Sequence, residues 1–195
     1  EIKKALQSSS PADALLVGVQ PRPITPENFL PILSLPSSQN TLAFVDGGQA
    51  EILATGNLCL SLVRIAGVIF SGLKKERVIL REFYLFTKGV LQDHEIFYES
   101  TIFPLGKPLL DEKQRQVSSR DPLLVTGHER AAISSVANMA RRFSELALAR
   151  ELAADSVLLD GTLDVTYPGE EALLQQLGTS VCALAKTSTL WTKNG

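Results

Sequence analysis

The spacing of hydrophobic residues changes along the chain, from short or alternating apolar runs in the first half to helical spacing later. Between residue 41 and about residue 99, the short runs predict strands. We expect these strands over residues 42–46, 50–55, 59–70, 76–86 and 95–99. Glycine-containing pairs such as Gly47-Gly48 and Gly56-Asn57 lie between them and are typical of hairpin turns.

Helical spacing dominates the region from about residue 127 to 154, which lacks Gly and Pro after its first residue and is rich in Ala, Leu, Arg and Glu. Apolar residues three and four positions apart predict one long helix with a single buried face. A strand over 156–160, a helix over 169–177 and a strand over 181–185 follow. Hairpins followed by helical crossovers predict an α/β fold with a mixed sheet, antiparallel on one side and parallel on the other. This order of elements resembles that of ribonuclease H-like domains.

Proline and serine clusters set the expected boundaries of the domain. Residues 1–40 contain Ser8-Ser9-Ser10-Pro11 and repeated prolines, which predict an irregular lead-in or arm. Residues 101–122, with three prolines and a charged run, predict a loop. We therefore expect one ribonuclease H-like domain over residues 41–195. The chain begins with Glu1 and ends soon after Trp191, so we expect a fragment truncated at its C-terminus.

Two apolar runs end in Asp-Gly, at Asp46 and at Asp160. A carboxylate at the end of a buried strand is costly to desolvate unless a positive group pairs with it. If neighbouring strands carry the two residues, their carboxylates lie side by side, as two-metal phosphodiester cleavage requires. Carboxylate oxygens favour Mg²⁺ or Mn²⁺. A single Asp-Gly after an apolar run is most often a turn, but its occurrence at both strands favours a metal site.

Two further residues complete the predicted site. Glu145 shares one side of its helix with Leu148 and Leu152, so we expect it to point inward as a third metal ligand. The alternative is a solvated or salt-bridged helix residue. Lys186 follows the last predicted strand, where its ammonium group could contact a phosphate or simply end the strand.

Composition limits the classes of partner. The 195 residues carry a formal net charge of −2, so the chain has no general basic surface for gripping nucleic acid. A phosphate partner would need a local patch or a metal. No apolar run reaches the roughly 18 residues of a membrane span, and we expect no membrane partner. Cys59 and Cys182 lie in apolar runs and predict buried free thiols in a reducing, cytoplasmic compartment.

Together these segments, over roughly residues 40–190, resemble the NurA nuclease family. The run Phe44-Val45-Asp46-Gly47-Gly48 is similar to the family's first-strand motif, with Gly48 in place of the usual Ser. Residues 141–146 resemble the helix segment that supplies an acidic ligand. Residues 158–163 and 184–188 resemble the second Asp-Gly strand and a later Lys-Ser motif.

The resemblance implies manganese-dependent (or magnesium-dependent) hydrolysis of DNA, with Asp46, Glu145 and Asp160 as ligands and Lys186 at the scissile phosphate. It also implies a role in DNA repair by end resection, with DNA and a HerA-type ATPase translocase as partners and a homodimeric state. The family has a His ligand near its C-terminus that no residue here matches. That difference fits the expected truncation and leaves open whether this fragment is active.

Two other interpretations remain open from the sequence. Asp160-Gly161-Thr162 is similar to the Asp-x-Asp-Gly-Thr motif of haloacid dehalogenase phosphatases, but Leu158 stands where the nucleophilic Asp would be. The stronger alternative is a non-catalytic ribonuclease H-like module that binds a partner protein or nucleic acid. In such a module the acidic pair would be vestigial, and metal would have no effect.

Overall fold

The computed structural model describes residues 14–16, 40–110, 115–127, 129–185 and 190–192. The chain divides into two compact units, one formed by Glu1–Ser38 with Ala185–Gly195 and the other by Gln39–Leu184. In the first unit, strand β1 (Ala14–Leu16) pairs antiparallel with strand β9 (Leu190–Thr192).

The unit Gln39–Leu184 is built on a mixed seven-stranded sheet. Its elements are β2 (Thr41–Ala54), β3 (Leu58–Ser71), β4 (Lys74–Gln92), β5 (Glu95–Pro104), β6 (Arg115–Ser118), α1 (Ser135–Glu151), β7 (Ser156–Asp160), α2 (Glu171–Leu174) and β8 (Val181–Leu184). In space the strands follow the order β6-β5-β4-β3-β2-β7-β8. Neighbours from β2 to β6 are antiparallel, whereas β7 pairs parallel with both β2 and β8. The predicted α/β class and mixed sheet are confirmed.

Strand β2 passes through Gly47-Gly48 without a turn, so the prediction of two strands separated by a hairpin was wrong there. Gly47 pairs with Ile65 and Gly48 with Arg64, because β3 offers an unbroken partner along this whole stretch. The only irregularity in this pairing is a register shift between Glu51 and Leu53. The result is a strand of 14 residues that continues well beyond Asp46.

Three other predicted boundaries differ from the structure. Helix α1 begins at Ser135, because the amide of Ala131 donates to the carbonyl of Ser119, at 2.7 Å, and takes no part in a helical turn. The predicted loop over 101–122 contains the end of β5 and the short strand β6. Helix α2 has only four residues.

The core lies between α1 and one face of the sheet. Alternate residues of the central strand β3, among them Val63 and Ile65, are completely buried against the helix residues Val136, Phe143 and Leu148. The even-numbered residues of β2 from Leu42 to Asp46 lie on the other face and are exposed. No helix in the described ranges combines the length and apolar composition that a membrane span requires.

Candidate active site

The parallel pairing of β2 with β7 brings Asp46 and Asp160 to neighbouring positions. The register pairs Leu42 with Ser156 and continues residue by residue to Val45 with Leu159. Asp46 and Asp160 come next on their strands, and each is exposed. Adjacent strands are about 4.8 Å apart, so the two backbones approach closely where β7 ends.

Hydrogen bonds at the start of these strands support the pairing. The carboxylate of Asp155 accepts bonds from the amide and the hydroxyl of Thr41, at 2.7 and 2.8 Å. The amide of Asp155 donates in return to the Thr41 hydroxyl, at 2.9 Å. These bonds hold the pKa of the Asp155 carboxyl below its ordinary value. They join the beginnings of β2 and β7 through groups that are otherwise exposed to solvent.

Glu145 reaches the same part of β2 from the helix. The residue is 3% exposed. A Cβ atom placed on Gly47 would lie 2.8 Å from Oε1 of Glu145 and 2.5 Å from Cδ1 of Ile65. Only glycine therefore allows the carboxylate this close to the strand. The sequence-based expectation that Glu145 points inward is met.

Arg141, one helical turn before Glu145, forms an ion pair with its carboxylate. The same guanidinium lies 3.4 Å from the carbonyl oxygen of Gly47 and donates to it. Burial raises the pKa of Glu145 to about 7, against the lowering effect of Arg141 and Arg142 and with a further increase from the charge of Asp46.

Asp46 and Glu145 nevertheless lie on opposite faces of β2. Side chains alternate along a strand, so Gly47 faces the helix and Asp46 faces away from it. The Oδ1 atom of Asp46 accepts a hydrogen bond from the amide of Gly47, at 2.8 Å. The structure thus brings Asp46 beside Asp160 and brings Glu145 to the adjacent residue from the other side.

The fit of this site to a divalent cation is mixed. The donors are carboxylate oxygens, which suit Mg²⁺ and Mn²⁺. However, no group of three His, Cys, Asp or Glu side chains in the described part of the chain is arranged to hold a metal ion. The ion pair with Arg141 engages the Glu145 carboxylate. Asp46 and Asp160 are therefore the pair that could bind a cation, and Glu145 could join them only if it left Arg141 and moved to the other face of β2.

A buried ion pair fixes the segment that follows Asp160. Nε of Arg142 donates to Oε1 of Glu170 at 2.6 Å, and Nη2 donates to the carbonyl of Thr162 at 2.5 Å. The other Glu170 oxygen accepts bonds from the amide and hydroxyl of Thr166 and from the amide of Tyr167. Glu170 is completely buried. The network attaches the segment after the predicted metal ligand to helix α1.

Sequence reasoning missed the roles of Arg141, Arg142 and Glu170, whereas a salt-bridged Glu145 was one of its alternatives. The spacing of Arg141 and Glu145, four positions apart on a helix, could have indicated their ion pair. Nothing local indicated that Arg142 would meet Glu170, because 28 residues separate them. Lys186, predicted to contact a phosphate, lies outside the described residues. Cys59 and Cys182 are both free thiols, but Cys182 is exposed, so the prediction of burial was wrong for it.

No family model, curated protein or solved structure matches this chain.

Proposed function

We propose that this protein is a divalent-metal-dependent deoxyribonuclease of ribonuclease H-like fold, similar to the NurA family. One observation carries the proposal: the parallel register of β2 and β7 brings Asp46 beside Asp160, with the buried carboxylate of Glu145 at the next residue. Buried or neighbouring carboxylates that repel one another are a common feature of cation and catalytic sites. A strand that only leads into a turn does not require a second carboxylate beside it.

The order of elements supports the proposed fold. Five consecutive antiparallel strands, β2 to β6, precede the long helix, and two parallel strands, β7 and β8, then extend the sheet beyond β2. Strand β2, the first of the sheet in sequence, thereby lies between β3 and β7, and Asp46 lies beside the end of the strand that follows the helix. This is the arrangement expected of a ribonuclease H-like domain.

Each side chain has a distinct proposed role. Asp46 and Asp160 would hold Mn²⁺ or Mg²⁺, which would supply activation of water and stabilisation of charge on the phosphate. Glu145 completes the site or orients the attacking water, and its pKa of about 7 suits a group that exchanges protons near neutral pH. Arg141 positions that carboxylate. Lys186 is proposed to steady the scissile phosphate.

The cellular setting is part of the proposal. DNA is the substrate, and a HerA-type translocase and a second copy of the chain are the proposed protein partners in DNA end processing. A cytoplasmic location is supported by the free thiols of Cys59 and Cys182, since such thiols persist in reducing compartments.

A nuclease assay of the full-length protein with Mn²⁺, Mg²⁺ or chelator tests the activity. Asp160→Ala should lower the cleavage rate by a factor of about 100 or more, because metal-assisted charge stabilisation supplies several kcal/mol. Asp164→Ala is the matched control, since Asp164 is exposed and lies only four residues away. Equal cleavage by Asp160→Ala and Asp164→Ala would contradict the assignment.

The alternative function is a non-catalytic module that binds a partner protein or nucleic acid. The pairing of Glu145 with Arg141 favours it, because this ion pair neutralises one predicted ligand without a metal. Titration with Mn²⁺ separates the two functions. A catalytic site should bind Mn²⁺ in the micromolar range and lose that binding on Asp46→Asn, whereas a vestigial site should show no such dependence.

A further inference from the structure

A basic cleft lies between β4 and the C-terminal half of α1. It has a volume of about 350 Å³, within the range of small-molecule binding sites. Its lining combines the cations Arg77, Arg81 and Lys107 with the single carboxylate of Glu151. The local charge is thus positive, although the chain as a whole has a formal net charge of −2. None of these four residues belongs to the carboxylate site described above.

Arg81 supplies the most specific feature of the cleft. Its Nη1 atom donates to the carbonyl of Leu80 at 3.0 Å, which holds the guanidinium in place. Its Nε atom is shielded from solvent and has no hydrogen-bond acceptor among the described residues. An unsatisfied buried donor is costly, so its retention calls for an acceptor. The Nε side of a guanidinium is suited to binding two oxygens of one phosphate.

The remaining lining residues narrow the class of ligand. Lys107 donates to Glu151 at 2.9 Å. The other two cations of the cleft, Arg77 and Arg81, form no ion pair with a carboxylate of the described residues. The accessible wall of the cleft is mainly polar, since Leu148 is completely buried and Leu152 is nearly so. A polar cleft with two such guanidinium groups suits a phosphate group, which a phosphate ester carries.

We propose that this cleft binds a phosphate ester, supplied by a free nucleotide or by a nucleic-acid strand. On the sheet, Arg81 pairs with Ile65 and Ile65 pairs with Gly47, so Arg81 lies about 10 Å from Gly47 on the side of the sheet that faces α1. Asp46 lies on the other side of the sheet, so the cleft and the carboxylate pair are separate sites. The inference does not rest on the proposed nuclease activity, because binding is measured with metal removed.

The test measures binding by the full chain in the presence of chelator. Fluorescence anisotropy follows a labelled single-stranded oligodeoxynucleotide, and unlabelled mononucleotide and inorganic phosphate are the competitors. The double variant Arg77→Gln/Arg81→Gln should bind the oligonucleotide at least about tenfold more weakly, since charge-assisted bonds to phosphate are lost. The slope of log K against log salt should fall by about 1.4, or 0.7 for each lost contact.

The control variant Arg64→Gln/Lys75→Gln removes the same charge from residues outside the cleft and should keep its affinity within about twofold. Equal losses in the two double variants would overturn the proposal, because general surface charge would then explain binding. Failure of both oligonucleotide and mononucleotide to bind would also overturn it. Competition by mononucleotide assigns the site to free nucleotides, and binding of the oligonucleotide alone assigns it to a strand.

Glu151→Gln gives a second test, in which the expected result is tighter binding. Loss of folding would weaken binding and so could not produce this result. The substitution removes the single carboxylate of the cleft and releases Lys107, so affinity for the oligonucleotide should rise by about twofold or more. Unchanged or weaker binding by Glu151→Gln, in a variant with native circular dichroism, would contradict the proposal.

Discussion

Thr41 and Asp155 are joined by three hydrogen bonds at the start of the strands that carry the two candidate metal ligands. Thr41 lies five residues before Asp46, and Asp155 lies five residues before Asp160. Because β2 and β7 are parallel and are joined at Thr41 and Asp155, the residues five positions later, Asp46 and Asp160, are also neighbours. A pair of exposed side chains therefore helps to determine which residues meet at the candidate site.

Asp155→Ala should weaken Mn²⁺ binding severalfold and lower the midpoint of thermal unfolding, because the start of β7 loses its attachment to β2. The pKa of Asp155 is lowered in the folded state, so its contribution to stability is present above the ordinary carboxyl pKa. The contribution is lost as the pH falls through the lowered value. Calorimetry and thermal melts of Asp155→Ala and Asp164→Ala test this, and equal effects of the two would contradict it.

Gly47→Ala should displace Glu145 and destabilise the fold by about 1–3 kcal/mol, as overpacking does. The added methyl would lie 2.5 Å from Ile65 and 2.8 Å from the Glu145 carboxylate, and neither group can move far in the core. Gly48→Ala is the matched control, because no atom lies within 4 Å of its added methyl. Urea unfolding measures the difference. The same cost at both positions would show that backbone entropy, and not the close contact, is responsible.

Much of the fold could be predicted from periodicity in the sequence. The apolar runs located the strands, and the spacing of Val136, Ala140 and Phe143 located the buried face of α1. The prediction of a turn at Gly47-Gly48 was wrong because glycine has two uses. It can begin a turn, or it can allow a side chain to approach the backbone, and only the position of Glu145 distinguishes them.

The candidate site was predictable to a smaller extent. Asp46, Asp160 and the inward direction of Glu145 followed from local patterns. The ion pair between Arg142 and Glu170 and the cleft around Arg81 did not, because each depends on residues distant in sequence. The alternation along β2 could have indicated that Asp46 and the residue after it face opposite sides. Applying it there would have placed Glu145 across the strand from Asp46.

Glu145→Gln should change how stability depends on pH. The folded pKa of about 7 exceeds the ordinary value of 4.5, so the folded state binds this proton more tightly. Wild-type stability should therefore fall as the pH rises from about 4.5 to about 7, by at most roughly 3 kcal/mol. The free energy of unfolding of Glu145→Gln lacks this decrease. The stability of the variant relative to wild type should therefore increase through that pH range and then level off.

Urea unfolding at pH 5, 6, 7 and 8 in chelator measures the dependence on Glu145. Glu171→Gln, which changes an exposed carboxylate in helix α2, is the control and should run parallel to wild type at every pH. Parallel curves for Glu145→Gln and wild type would show that the pKa of Glu145 is not raised.

Glu170→Gln should destabilise the protein by about 3–5 kcal/mol, because it leaves the Arg142 guanidinium buried without its counter-charge. Burial raises the pKa of Glu170, but hydrogen bonds from Arg142 and Thr166 outweigh it and lower the pKa overall. The stabilisation is therefore present above the ordinary carboxyl pKa and is lost as the pH falls through the lowered value. Denaturant unfolding at pH 7 and pH 4 measures both effects.

Two comparisons test whether the cost at Glu170 comes from an unpaired buried charge. Glu76→Gln breaks the exposed pair with Lys74 and should cost no more than about 1 kcal/mol. The double variant Arg142→Met/Glu170→Gln removes both charges and should recover much of the stability lost in Glu170→Gln. If the double variant is instead less stable by the sum of the two single effects, then Arg142 and Glu170 are not energetically coupled. In that case the segment after Asp160 would owe its position to its backbone contacts and not to this ion pair.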